Sequence, residues 1–205
     1  MRSTVRPRIA SALGLLLGIW LTSVPVYAQA AGAGDAGVES LVAALREGGV
    51  VVLIRHSATD PGVGDPPGFT PDDCPTQRNL SDAGREQARR LGEWFHTNGI
   101  VPSSVRASPW CRTRETARLA FGRSTDWTAL SNLYTEPGGR QEQTRQVRTA
   151  IAAVGKGEVD VLVSHGVSIR IFVDVYPDQG EMVVVRPSGR AGDDGIEVLG
   201  RLLLP

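Results

Sequence analysis

Two short apolar runs, each ending at a histidine, constrain this chain more than any other feature. Val50–Ile54 reads Val-Val-Val-Leu-Ile and stops at Arg55-His56, and Val159–Ser164 reads Val-Asp-Val-Leu-Val-Ser and stops at His165. A continuous β-branched run such as Val50–Ile54 fits a strand covered on both faces, which occurs where helices pack on each side of a parallel sheet, and the second run reads as a further apolar strand. Between them the pattern changes to a helical period. Ser81 predicts an N-cap for a helix to His96, with Gly84, Ala88, Leu91 and Phe95 on one stripe. Ser104–Ser108 reads as another strand, with Pro109 at the first position of a helix running to Phe121. A helix over Arg140–Val154 and a short one over Gly166–Val173 flank the second histidine strand. Met182–Val185 and Ile196–Val198 predict an edge hairpin with Gly and Asp in its turn. Alternating strands and helices argue an α/β layered domain with a mostly parallel sheet.

Residues 60–77 interrupt this pattern with Pro61, Gly62, Gly64, Pro66, Pro67, Gly68, Pro71 and Pro75, a loop long enough to predict function. Composition sets the outer bounds. The 205 residues are 41% hydrophobic and 21% charged, sufficient to bury one sizeable core and too apolar for a disordered chain. Basic and acidic residues balance at 22 each, so the charge footprint of a nucleic-acid binder is missing. Lys156 is the sole lysine beside 21 arginines, a bias toward planar recognition of oxyanions that a GC-rich genome would equally produce.

The N-terminus reads as a signal peptide over residues 1–28. Arg2, Arg6 and Arg8 precede a 13-residue apolar run, Ile9–Leu21, too short to span a membrane, and Val26-Tyr27-Ala28 or Ala28-Gln29-Ala30 offers the cleavage spacing. The alternative is an uncleaved anchor. Removing 1–28 takes three of the 22 basic residues and leaves 19 against 22 acidic, a mildly acidic exported protein. Residues 29–37 read as a flexible leader, followed by a short helix bearing Leu41, Val42, Ala44 and Leu45, and 38–205 as a single catalytic domain. In an oxidising compartment Cys74 and Cys111 predict one disulfide, with two buried thiols as the alternative. His56, His96 and His165 are too scattered for a metal site with them, so neither metal nor cofactor is expected.

Ligand sites in open α/β sheets gather at the carboxyl ends of strands. Here three predicted strands end at Arg55-His56, at Ser108 with Arg112 beyond it, and at Ser164-His165, which places two arginines and two histidines around one anion site. Four segments carry a resemblance. Leu53-Ile54-Arg55-His56-Ser57-Ala58-Thr59, Leu80-Ser81-Asp82-Ala83-Gly84-Arg85-Glu86-Gln87-Ala88, Ser108-Pro109-Trp110-Cys111-Arg112-Thr113-Arg114-Glu115-Thr116-Ala117 and Val161-Leu162-Val163-Ser164-His165-Gly166 stand in the order of the histidine phosphatase superfamily, which includes phosphoglycerate mutase and acid phosphatases. The chain resembles that family over residues 50–173. The resemblance implies a three-layer, phosphoglycerate mutase-like sandwich and a phosphohistidine intermediate on His56. Arg55 and Arg112 would clamp the phosphoryl oxygens, His165 would complete the cage, and the helix after Ser108 would add its N–H groups.

Ser57, Thr59, Arg78 and Gly166 are the further substrate-binding candidates, and Trp110 either walls the pocket or packs in the core. Two departures matter: Ser57 stands where the family has glycine, and Gly62 stands where phosphoglycerate mutases carry a phosphate-contacting asparagine. The general acid is sought first at Glu136, then at Asp60 and Glu181. The leading expectation is an exported, metal-independent phosphatase acting on a small phosphorylated substrate or a phosphorylated envelope component. It has no nucleic-acid partner and no membrane anchor after cleavage, and its oligomeric state is not legible. The alternatives are a non-catalytic anion-binding module and a phosphotransferase or mutase.

Overall fold

The computed structural model describes residues 33–62, 64–134, 137–188 and 195–205. The expected signal peptide, Glu136 and the centre of the C-terminal hairpin turn lie outside the described residues. Among the described residues are five α-helices, α1 (Ala33–Glu47), α2 (Asp82–Thr97), α3 (Cys111–Phe121), α4 (Arg140–Ala152) and α5 (Gly166–Val173). Six strands, β1 (Val50–Arg55), β2 (Ser104–Ala107), β3 (Thr125–Asp126), β4 (Val159–Ser164), β5 (Met182–Pro187) and β6 (Ile196–Leu202), form one sheet in the order β3-β2-β4-β1-β5-β6. The first four in that order run parallel, while β5 is antiparallel to β1 and β6 to β5.

The alternation of side chains along β1 explains why its sequence is apolar throughout. Val50, Val52 and Ile54 enter a core with Leu41 and Leu45 of α1, Leu91 and Phe95 of α2 and Ala117 of α3. Val51 and Leu53 enter a second core with Val147 and Ile151 of α4 and Ile169 and Phe172 of α5. The domain is therefore a three-layer sandwich with a mostly parallel sheet. The close approach of α2 to α3 depends on Gly92, where a Cβ would stand 2.1 Å from the Ala120 carbonyl oxygen.

Three expectations need correction, and one strand was unforeseen. Helix α1 begins at Ala33, so residues 33–37 are helical and not leader; once the apolar stripe at Leu41 and Leu45 nucleates the helix, extending it backward costs little. Helix α3 begins at Cys111 with Trp110 in extended geometry at its N-cap, which leaves Pro109 outside the helix. The hairpin's first strand is internal, since β5 pairs with β1 and only β6 lies at the edge. The two-residue strand β3 was not expected at all, because so short a polar segment carries no periodicity.

The 60–77 loop is tied to the domain by a Cys74–Cys111 disulfide across 37 positions of sequence. Gln77 reinforces it, donating to the Thr70 and Pro71 carbonyls and accepting the Cys111 N–H. Closing such a loop contributes about 4 kcal/mol by the chain-entropy account. Reduction should therefore release the loop before it melts the sheet. Limited proteolysis with and without reductant checks this: new cuts within 60–77 are expected below the global melting temperature, and an unchanged cleavage pattern contradicts it.

Candidate active site

The register of β1 against β4 pairs Arg55 with Ser164, so His56 and His165 leave the sheet side by side, their ring centroids 5.6 Å apart. The His56 N–H continues the ladder to the Ser164 carbonyl at 3.0 Å. Between these strands and the 60–77 loop lies a cavity of about 260 Å³. It is lined by Arg55, His56, Arg78, Arg112 and His165, with Gly62, Gly64, Asn132, Tyr134, Gly166, Val167 and Tyr176 around them.

The motif residues hold the backbone that carries His56. Thr116 of α3 accepts the Ser57 N–H at 3.0 Å, and Gln87 of α2 accepts the Ala58 N–H at 3.0 Å while donating to the Gln179 carbonyl. Ser81 caps α2 by accepting the Gly84 N–H, and its own N–H donates to the Ala58 carbonyl. Gly84 is required for that approach: a Cβ there would sit 1.8 Å from the Ala58 oxygen. Gly166 is similarly confined, its notional Cβ lying 3.1 Å from the Tyr176 ring and 3.3 Å from Arg55.

His56 is almost fully buried, and its Nδ1 lies 2.9 Å from the Ser57 carbonyl. A carbonyl only accepts, so Nδ1 carries the hydrogen and the neutral ring keeps its lone pair on Nε2. Burial first, then the charges of Arg112, Arg55 and Arg78, hold its pKa well below the ordinary value of 6.5. At neutral pH His56 is thus an unprotonated imidazole in a fixed tautomer, the form a nitrogen nucleophile requires.

His165 differs. Burial, Arg112 and His56 push its pKa well below 6.5, and both ring nitrogens are engaged. Nε2 bonds Ser108 Oγ at 2.9 Å, and Nδ1 accepts a long 3.5 Å contact from Arg112. It reaches a phosphoryl oxygen only by giving one of these up. Arg55 donates to the Pro177 carbonyl and lies over the Tyr176 ring, and Arg78 donates to the Gly62 carbonyl. The Nε atoms of Arg55, Arg78 and Arg112 are buried with no hydrogen-bond partner among the described residues.

Several candidates sit elsewhere. Ser57 is fully buried but does not line the cavity, and Thr59 accepts from Gln179 at the edge of a neighbouring depression. Trp110 is in the interior, its ring edge-on to His165 and its indole N–H on Asp65. The Cys111 N–H at the start of α3 is taken by Gln77 and is not offered to an anion. Asp60 is exposed outside the cavity. Glu181 is not a surface carboxylate: it is buried, accepts twice from Arg201 and once from the Asp178 N–H. Burial alone would raise its pKa, yet those bonds and the Arg201 charge hold it below the ordinary value, which disqualifies it as a proton donor. Sequence reasoning missed Asn132, Tyr134 and Tyr176, which stand in poorly patterned segments, and Asp65, whose carboxylate pairs with Arg112.

Residues 51–142 match the histidine phosphatase superfamily, branch 1. The match takes in three of the four motifs; the His165 strand lies beyond it. The fold is that of histidine phosphatases. It superposes on the protein histidine phosphatase SixA complexed with tungstate at a TM-score of 0.54 and 13% identity, over 75% of this chain and 96% of that one. A phosphoserine phosphatase mutant from Entamoeba histolytica in complex with phosphoserine gives 0.51 and 13%, over 74% and 95%. No curated protein matches the sequence.

The buried neutral histidines of this histidine phosphatase fold carry a stability consequence. Their folded pKa values lie below the unfolded value near 6.5, so their contribution is complete above that pH and is lost as pH falls from there toward the folded values. Thermal melts should show the wild type losing stability between pH 6.5 and 5 more steeply than a His56→Gln/His165→Gln double variant. Parallel curves would contradict the assignment.

Proposed function

We propose that this protein is a phosphatase that transfers the phosphoryl group of a small substrate to His56 and then to water. Superfamily members are phosphatases or mutases, which supports phosphoryl transfer as the class of chemistry. The observation that carries the reading is His56 itself, its Nδ1 hydrogen committed to the Ser57 carbonyl, beside a cavity lined by three arginines. In the first step the Nε2 lone pair attacks phosphorus, the P–N bond forms, and the bond to the leaving oxygen breaks with that oxygen taking a proton. In the second, water attacks phosphorus and gives a proton back to the group that supplied the first, the P–N bond breaks, and neutral His56 and inorganic phosphate are returned. The guanidinium charges stabilise the equatorial oxygens in both steps. Charge of this kind from arginine serves the transfer without a metal, and turnover in the presence of chelator is the expected behaviour.

A cavity of about 260 Å³ is small for a drug-sized ligand but larger than a phosphoryl group, which leaves room for a small organic part of the substrate, and Tyr134 and Tyr176, both exposed, are among the residues that line it. Among the described residues no carboxylate lines the cavity. Glu136, two positions after Tyr134, is our candidate for the proton donor. The Cys74–Cys111 disulfide suits the oxidising compartment to which the N-terminal sequence would direct the chain. A mutase reading would need a second acceptor site, and no observation favours one.

His56→Ala should reduce aryl phosphate turnover to the buffer background while the fold persists, and Arg112→Ala should cost about 10²–10³-fold. Rapid quench of the wild type should trap an acid-labile, base-stable phosphoenzyme; label in an acid-stable ester would end the histidine mechanism. Glu136→Gln should slow alkyl phosphates much more than aryl phosphates, whose leaving oxygen needs no proton. Equal slowing of both would remove Glu136 from the acid role.

A further inference from the structure

Asp65 is a buried carboxylate that the phosphoryl transfer above does not use. It lies in the Pro- and Gly-rich loop, yet its side chain is fully inaccessible, as is all but 1% of the Arg112 side chain it faces. One carboxylate oxygen accepts from Arg112 NH1 at 2.5 Å and from the Arg78 N–H at 3.1 Å. The other accepts from Arg112 NH2 at 3.2 Å and from the Trp110 indole at 3.2 Å. All four bonds come from elements that also build the site, while Asp65 is absent from the cavity lining.

We propose that Asp65 is a positioning residue for phosphoryl binding, which occupies the NH1–NH2 edge of Arg112 so that the Nε–NH2 edge is presented to the substrate. A guanidinium has two edges that can bind an oxyanion in bidentate fashion. Here the outer one is filled by Asp65, to which NH1 and NH2 each give one hydrogen, whereas on the inner edge Nε is buried with no partner among the described residues and the second NH2 hydrogen has only the long contact to His165. The carboxylate also fixes the plane of the group, since the indole and the Arg78 amide hold its own two oxygens in place. A carboxylate standing in the phosphoryl position as a competitor would line the cavity, which Asp65 does not.

The kinetic arm of the test rests on the phosphatase reading; the binding arm does not. Orthophosphate affinity by calorimetry, together with kcat and KM on p-nitrophenyl phosphate, would be measured for wild type, Asp65→Asn, Arg112→Ala and the double variant. Asp65→Asn keeps the shape and loses the charge-assisted pairing, so orthophosphate binding should weaken by about tenfold or more and kcat should fall. In the Arg112→Ala background the same change should have no further effect beyond about twofold, because Asp65 acts through Arg112. Trp110→Phe, which removes one anchor of the carboxylate and keeps the ring, should weaken orthophosphate binding by a smaller factor, and it decides the question if Asp65→Asn does not fold. Tighter orthophosphate binding in Asp65→Asn would show a competing carboxylate and overturn the proposal. So would equal losses in both Arg112 backgrounds, or a wild type that binds no orthophosphate. A wild type that binds orthophosphate but turns nothing over would remove the phosphatase reading and leave the binding result standing.

Discussion

The parallel pairing of β1 with β4 is the contact on which the site depends. It sets Arg55 opposite Ser164, and one residue further along both strands turn out of the sheet at a histidine. Because side chains alternate in direction along a strand, a slip of one residue would reverse every side chain of β1 between the two cores. The valines that fix the register therefore also fix the spacing of His56 and His165. Packing on both faces enforces this: Val52 and Ile54 are held under α2 and α3, Leu53 under α5. The geometry of the reacting groups is thus a consequence of core packing more than of any bond between the groups themselves.

Polar residues in the two helices that follow complete what the sheet begins. Gln87, Thr116 and Ser81 each bond backbone groups within Ser57–Ala58, so the turn after His56 is clasped from both α2 and α3. Ala88 and Ala117, both fully buried, sit beside Gln87 and Thr116 and let the helices come close enough for those bonds. The Gln-Ala and Thr-Ala pairs legible in the sequence accordingly serve the backbone of the site and do not face the cavity. They position His56 without lining the cavity beside it.

How much the sequence disclosed follows from the same physics. The strand end at Arg55-His56 was readable because two-sided burial leaves an unbroken apolar run whose end is abrupt; the ends at His165 and Ser108 were readable from the apolar residues that precede them, interrupted by Asp160 in one strand and by Arg106 in the other. The disulfide was readable from an even cysteine count. Asp65 was not, because nothing in Asp-Pro-Pro-Gly tells a buried carboxylate from a turn residue, and its role exists only when a segment 47 positions away folds against it. Glu181 was misread for a related reason: its partner Arg201 stands on a strand 20 residues further on, and neither residue signals the pairing locally. Tyr176 reaches the cavity from the connection between α5 and β5, a stretch with no period to follow.

The charge arrangement of the site has an internal logic that links these pieces. Three guanidinium groups around one cavity repel one another, and Arg78 shows the cost, its pKa lowered first by burial and next by the Arg112 charge. A site so built can stay folded if some of the charge is balanced and the other titratable groups remain neutral. Asp65 supplies the balance at Arg112, the most buried of the three. The two histidines stay neutral because the arginines and burial both disfavour a further positive charge there. The features that suppress protonation of His56 are therefore also ones that would attract an anion to it, so that in the phosphatase we propose a single arrangement of arginines would both keep the nucleophile neutral and bind its target.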